Sequence, residues 1–94
     1  MQNKRKKTYR QLEKLVRGFS NHRRIQIMEL LKKEPELSVI EIADELDVNM
    51  KTIAEHIKRL SIAGLVLKRN DINSVRHKLT KNGISTLVFL RTLE

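Results

Sequence analysis

The chain turns on DVNMKTIAEHIKRLSIAGLV, Asp47 to Val66. Asn49 is a residue type that caps helices, its side-chain oxygen accepting from backbone N–H groups of the first turn, and Gly64 supplies the left-handed residue that ends one. Between them, a rotation of about 100° per residue gathers Ile53, Ile57 and Leu60 into one sector. The opposite sector holds Lys51, Glu55, Lys58 and Arg59, with Thr52 and Ala54 at its edges and His56 beside the apolar side. A short helix with a good inner face therefore presents charge on its outer one. Upstream, Ser38 precedes Glu41 by the spacing of a capping box and opens a second short helix in which Val39, Ile42, Ala43 and Leu46 face inward. Only DVN separates the two. Short helices across so tight a turn form a helix-turn-helix pattern.

Working outward, residues 1–8 are polar and basic with nothing to bury, and are expected to form a flexible arm. Order begins near Tyr9, where Leu12, Leu15, Val16 and Phe19 follow the spacing of one helical face, ending around Gly18 to Ser20. Ser20 or Asn21 then caps a helix whose Ile25, Met28 and Leu31, flanked by Ile27 and Leu30, form a broad apolar stripe up to Pro35. Beyond Gly64 the period changes to that of strands: LVLKR and VRHKL flank the polar NDINS, a hairpin. Thr80 caps a last helix, KNGISTLVFLRTLE, in which Ile84, Leu87, Val88 and either Leu90 or Leu93 are expected to be buried. That helix is apolar on more than one side, and so small a chain has little core left to cover it, which points to a second copy. The fold class is mainly α with a small β-hairpin.

At 94 residues with 39% hydrophobic content the chain fits one domain, expected over residues 9–94. Twenty Lys and Arg against eleven Asp and Glu give a net charge of +9 and a pI near 10.3, an imbalance that attracts polyanions. Nine of the basic residues precede Ile25, where Glu13 is the only acid, so the charge is also asymmetric. Aromatic residues make up 3%, too few for a base-stacking single-strand platform. With no cysteine, disulfides, thiolate metal sites and cysteine nucleophiles are excluded. MQNKRKKTYRQ lacks the apolar run of a signal peptide, and nowhere do enough apolar residues follow one another to span a membrane. A soluble, cytoplasmic protein is expected. His22, His56 and His77 are scattered, and no spacing suggests a nucleophile with its base, a carboxylate pair or a metal site, so neither catalysis nor a cofactor is expected.

The outer face of residues 50–63 has the size and charge to enter a DNA major groove, where the first residues of a helix reach base edges. Asn49, Met50, Lys51, Thr52, Glu55, His56, Lys58 and Arg59 are the candidates there. A solvated face explains the same lysines equally well on this helix alone; the preceding short helix and the following basic hairpin shift the balance. Glu55 suits a cytosine N4 group or, more simply, pairs with Lys51 or Arg59 one turn away. His56 suits packing or a phosphate. On the hairpin, Lys68, Arg69, Asn70 and Arg76 would lie along phosphates or enter a minor groove, arginine being favoured in a narrow one. Charged edge strands also serve simply to prevent edge pairing.

RRIQIMELL, IEIADELDVNMKTIAEHIKRLSIAGLV and LTKNG together resemble the ArsR-like winged helix-turn-helix regulators, with the MarR-like group next closest, over about Asn21 to Arg91. The resemblance implies about five helices with a two-stranded wing over residues 65–79, homodimers paired through the first and last helices (residues 9–19 and 80–93), recognition helices in successive major grooves, and promoter repression. Leu12, Leu15, Val16 and Phe19 with Leu87 and Leu90 would then form the interface. Where many members carry a Cys-x-Cys sensor this chain has Ser38, Val39 and Ile40, and Ile84 to Leu93 offers no acidic or histidine ligand, so no metal is expected. The other functions in view are a winged-helix module contacting protein or RNA and a non-specific architectural DNA binder.

Overall fold

The computed structural model describes residues 6–94; the first five residues of the expected arm lie outside them. Helices α1 (Tyr9–Phe19), α2 (His22–Lys33), α3 (Val39–Leu46) and α4 (Met50–Ile62) precede strands β1 (Val66–Asn70) and β2 (Val75–Leu79), and α5 (Lys81–Arg91) closes the chain. The helix starts are set locally. Ser38 and Glu41 form the expected capping box, Asn21, Asn49 and Thr80 each accept backbone N–H groups, and Thr8 with Gln11 forms a further capping box on α1. The last residue assigned to the arm is thus the cap of the first helix. Asp47 at φ 55° ends α3 in the left-handed region, and Gly64 at φ 78° makes the turn into β1.

The core lies where α2, α3 and α4 meet the hairpin: Ile27, Met28 and Leu31 pack with Ile42, Ile53, Ile57, Leu60, Leu65 and Val66, and Phe19, Leu79 and Leu87 complete it. Full burial of each large aliphatic side chain is worth about 1.5–3 kcal/mol. The strands pair antiparallel with Val66 opposite Leu79 and Arg69 opposite Arg76. A third segment joins them: His77 O accepts from Glu36 N–H, and His77 N–H donates to Leu37 O, both at 2.9 Å. The wing is thereby stitched to the α2–α3 junction.

Two faces differ from the expected pattern. In α2 the fully buried residues are Ile27, Met28 and Leu31, and Ile25 is only half-buried. In α5 the inner face is Gly83, Thr86 and Leu87 with Leu90 half-buried, while Ile84, Val88 and Leu93 are exposed. Gly83 causes this, for a Cβ there would lie 2.3 Å from Leu65 O. So close an approach fixes which side of α5 meets the core. Gly18 does the same for α1, where a Cβ would fall 2.2 Å from Ala63 Cβ, bringing α1 against the end of α4. No helix among the described residues is long and apolar enough to cross a membrane.

Candidate nucleic-acid interface

Burying Ile53, Ile57 and Leu60 leaves Lys51, Thr52, Ala54, Glu55, Lys58 and Arg59 exposed along α4, with Met50 half open at its start. Asn49 Oδ1 is occupied in capping, accepting from Lys51 N–H at 2.7 Å. Arg59 Nε donates to Glu55 Oε2 at 3.1 Å, the intrahelical pair weighed above. His56 is half-buried against α2, and its Nδ1 accepts from Arg24 Nε at 3.2 Å. Burial first, then the charges of Arg24 and Arg23, hold its pKa below the ordinary histidine value, so the ring is neutral where it packs.

On the wing, Lys68, Arg69 and Asn70 are exposed on β1. The two arginines are not idle. Arg69 pairs with Glu36 Oε1 at 2.6 Å, and Arg76 Nη1 donates to Glu41 Oε1 at 2.9 Å and to Glu36 O at 3.1 Å, with Asp71 Oδ2 at 3.8 Å from its Nε. The Arg69 hydrogen bond, followed at a distance by its charge and those of Lys78 and Arg76, holds the Glu36 carboxyl below its ordinary range. These forks brace the wing on the α2–α3 junction. Lys51, Lys58, Lys68 and Lys78, by contrast, pair with no carboxylate among the described residues. An open valley of about 590 Å³, lined by Ser38, Ile40, Ala54, Lys68, Asn70 and Val75 among others, joins α4 to the wing. Of the candidate residues, Lys68 and Asn70 of the wing line this valley, and α4 contributes Ala54 and Ile57 to it. His77, on the inner side of β2, is buried with Nδ1 at 2.9 Å from Leu37 O, and burial lowers its pKa.

The candidate dimer residues divide. Phe19 and Leu87 lie inside the chain's own core and Leu15 and Leu90 are half-buried, because Gly18 and Gly83 turn those sides of α1 and α5 inward. Exposed apolar area remains at Leu12, Val16, Val88 and Phe89, of which Val16 and Phe89 border a groove of about 320 Å³ between α1 and α5. Sequence reasoning also missed Arg24, Lys14 and Arg17, which line a basic cleft with Arg59. No local signal marks it, since its walls come from three helices. Among the described residues no group of three or more His, Asp or Glu side chains converges as a metal site requires.

The model of bacterial regulatory proteins of the arsR family matches residues 21–68, from the cap of α2 into β1, which is the unit just described. The chain belongs to the arsR family. Its curated relative, the transcriptional activator HlyU of Vibrio cholerae, is 29% identical over 76 residues, spanning 81% of this chain and 69% of that protein. A solved structure of HlyU from Vibrio cholerae superposes with a TM-score of 0.79 at 27% identity, covering 95% of this arsR-family chain and 97% of the solved one. A homodimeric winged helix-turn-helix DNA-binding domain from Mycobacterium bovis, solved by NMR, gives a TM-score of 0.76 at 23% identity over 96% of this chain and 88% of that one, a likeness of fold. Five helices and a two-stranded wing on an arsR-family helix-turn-helix make this protein a winged helix-turn-helix transcriptional regulator.

Proposed function

We propose that this protein binds double-stranded DNA in a sequence-specific manner as a homodimer and regulates transcription from the bound site. The observation that carries this is the outer face of α4: exposed Lys51, Thr52, Glu55, Lys58 and Arg59 stand opposite Ile53, Ile57 and Leu60 in an arsR-family helix-turn-helix. With α4 in the major groove, Asn49, Met50, Lys51 and Thr52 at its start would meet base edges. Lys58 and Arg59 would lie nearer the phosphates, and His56 stays behind the reading face. Lys68 and Asn70 of the wing would follow the backbone. Arg69 and Arg76 join the interface only by exchanging Glu36 and Glu41 for phosphate. Leu12, Val16, Val88 and Phe89, with the outer parts of Leu15 and Leu90, would pair with a second copy.

Repression is the proposed direction, because a domain this small regulates most simply by occupying promoter DNA; the curated relative is named as an activator. We further propose that the protein acts by binding rather than turnover, needs no metal or cofactor, and works in the cytoplasm. Selection from a random duplex pool at near-physiological salt, with the oligomeric state measured alongside, tests this. An enriched inverted repeat with half-sites about one helical turn apart is expected. Binding without enrichment would leave an architectural role, and no duplex binding would refute the proposal.

A further inference from the structure

The end of α1, the start of α2 and the end of α4 enclose an open cleft of about 440 Å³, a volume within the range of small-ligand sites. Lys14 and Arg17 come from α1, Arg24 from α2 and Arg59 from α4, with Ile62 and Ala63 beside them. Arg17 has Glu13 at 3.5 Å and Arg59 has Glu55 at 3.1 Å. Lys14 and Arg24 pair with no carboxylate among the described residues, so the cleft keeps uncompensated positive charge.

Arg24 is the best-held of the four. Its Nη1 donates to Arg17 O at 3.1 Å and to Gly18 O at 3.3 Å, and its Nε donates to His56 Nδ1 at 3.2 Å. The plain purpose of these bonds is to cap the last carbonyls of α1. The two carbonyl bonds and the bond to His56 together use three of the five guanidinium N–H groups, however, and leave the Nη2 pair without an acceptor among the described residues. A guanidinium held at three points, with both Nη2 donors free and the cationic groups of Lys14, Arg17 and Arg59 around it, matches an oxyanion with several acceptors. The close approach of α1 to the end of α4 at Gly18 brings residues of both helices to the lining of this one cleft.

We propose that this cleft binds a phosphate group. The phosphate comes either from the DNA backbone running past the end of α4 or from a free phosphorylated molecule, and in the second case the protein is ligand-responsive. The proposal does not depend on the operator assignment, since the probe is an inorganic anion. A bound phosphate would draw Arg59 from Glu55 and sit between a dimer helix and the recognition helix. His56 reports on occupancy: burial first, then Arg24, Arg23 and His22 of α2, depress its pKa and Glu55 of α4 raises it, so an anion among those cations shifts it upward.

The test is an NMR titration of the full chain with orthophosphate and then pyrophosphate at constant ionic strength, following backbone amides and the His56 ring. Saturable shifts centred on Gly18, Arg24 and Ala63, tighter with pyrophosphate, and a rise in the His56 pKa are expected. The double variant Lys14→Gln, Arg17→Gln removes two exposed cations without touching the core and should weaken pyrophosphate binding at least about tenfold. Lys51→Gln on the outer face should leave it unchanged. Shifts that fail to saturate, that spread equally along the outer face of α4, or that the double variant leaves intact overturn the proposal. Under the proposal, a duplex that displaces pyrophosphate identifies the DNA backbone as the source, and a duplex that binds beside it identifies a free ligand.

Discussion

Replacing Glu55 with glutamine separates two roles that share one geometry. The carboxylate receives Arg59 Nε at 3.1 Å, with the two side chains 57% and 56% exposed. An exposed i,i+4 pair of this kind contributes about 0.3–0.5 kcal/mol, so for a domain of this size the melting temperature should fall by only about 1–4 °C. The effect on DNA is larger and opposite in sign. Glutamine keeps the shape, removes a negative charge from the face turned to the phosphates, and releases Arg59. One additional neutralised phosphate steepens the dependence of log affinity on log salt by about 0.9. Between roughly 50 and 200 mM salt, that slope makes affinity fall by an extra factor of about 3.5. Fluorescence anisotropy on the selected duplex and on a scrambled one, across that salt range, measures both terms. Tighter binding to both duplexes at low salt with the steeper slope is expected. Weaker binding to the selected duplex alone, by about 1–3 kcal/mol at one base pair and with the slope unchanged, would mean that Glu55 reads a cytosine instead.

Lys51→Gln and Lys58→Gln should each flatten the salt slope by up to about 0.9 and leave the melting temperature within error, since neither lysine has an ion-pair partner among the described residues; slopes identical to the parent would dismiss α4 as the DNA-reading element. Val88→Glu, on a residue 57% exposed, should yield monomers by sedimentation and weaken operator binding; an intact dimer would place the interface elsewhere, whereas a charge at Leu87 would test only the core. Gly83→Ala puts a Cβ 2.3 Å from Leu65 O, so overpacking of about 1–3 kcal/mol should outweigh the gain of up to about 1 kcal/mol in helix propensity and lower the melting temperature. His77 and His56 both have pKa values depressed chiefly by burial, so the stability they contribute is whole above their ordinary value of 6.5 and is lost as pH falls through the lower folded values. Thermal melts should be level just above neutrality and decline into mild acid, less steeply in His77→Asn; stability that increased on acidification would reverse the assignment.

The legible parts of the sequence are those whose signals are local. Asn49, Ser38 with Glu41, Thr80 and Gly64 mark helix ends through bonds spanning a few residues, and α4 has a single apolar sector, so its orientation follows from spacing alone. In α2 the residues Ile25, Ile27, Met28, Leu30 and Leu31 cover so much of the circumference that periodicity does not choose between Ile25 and Ile27; contact with α4 and the wing does. The inner face of α5 was hidden for a different reason, since it is set by how closely Gly83 approaches the carbonyl of Leu65, just before β1. Thr8 and Gln11 had a readable capping spacing that the basic run before them obscured. The candidate interface was legible as a list of exposed charges but not as a set of available ones. Arg69 and Glu36 are 33 residues apart, Arg76 and Glu41 35, and Arg24 and His56 32, and no pattern within one element announces such partners.

Those distant partners reveal a division of labour between the two basic residue types. Every ion pair among the described residues has an arginine as its cation, and none has a lysine. Arg69 and Arg76 brace the wing, Arg91 ties α5 to Glu29 of α2, and Arg24 closes α1 on backbone carbonyls. The choice follows from chemistry: a planar fork makes two directed bonds and holds a geometry, while an ammonium on a flexible stem remains hydrated and adjusts to any nearby anion. The formal charge of +9 therefore overstates what is directed at fixed positions and understates what is mobile. Arginines position the recognition helix and the wing, and lysines supply the long-range attraction. Loss of a bracing arginine should consequently register first in the rigidity of the wing, and loss of a surface lysine first in the salt dependence of binding.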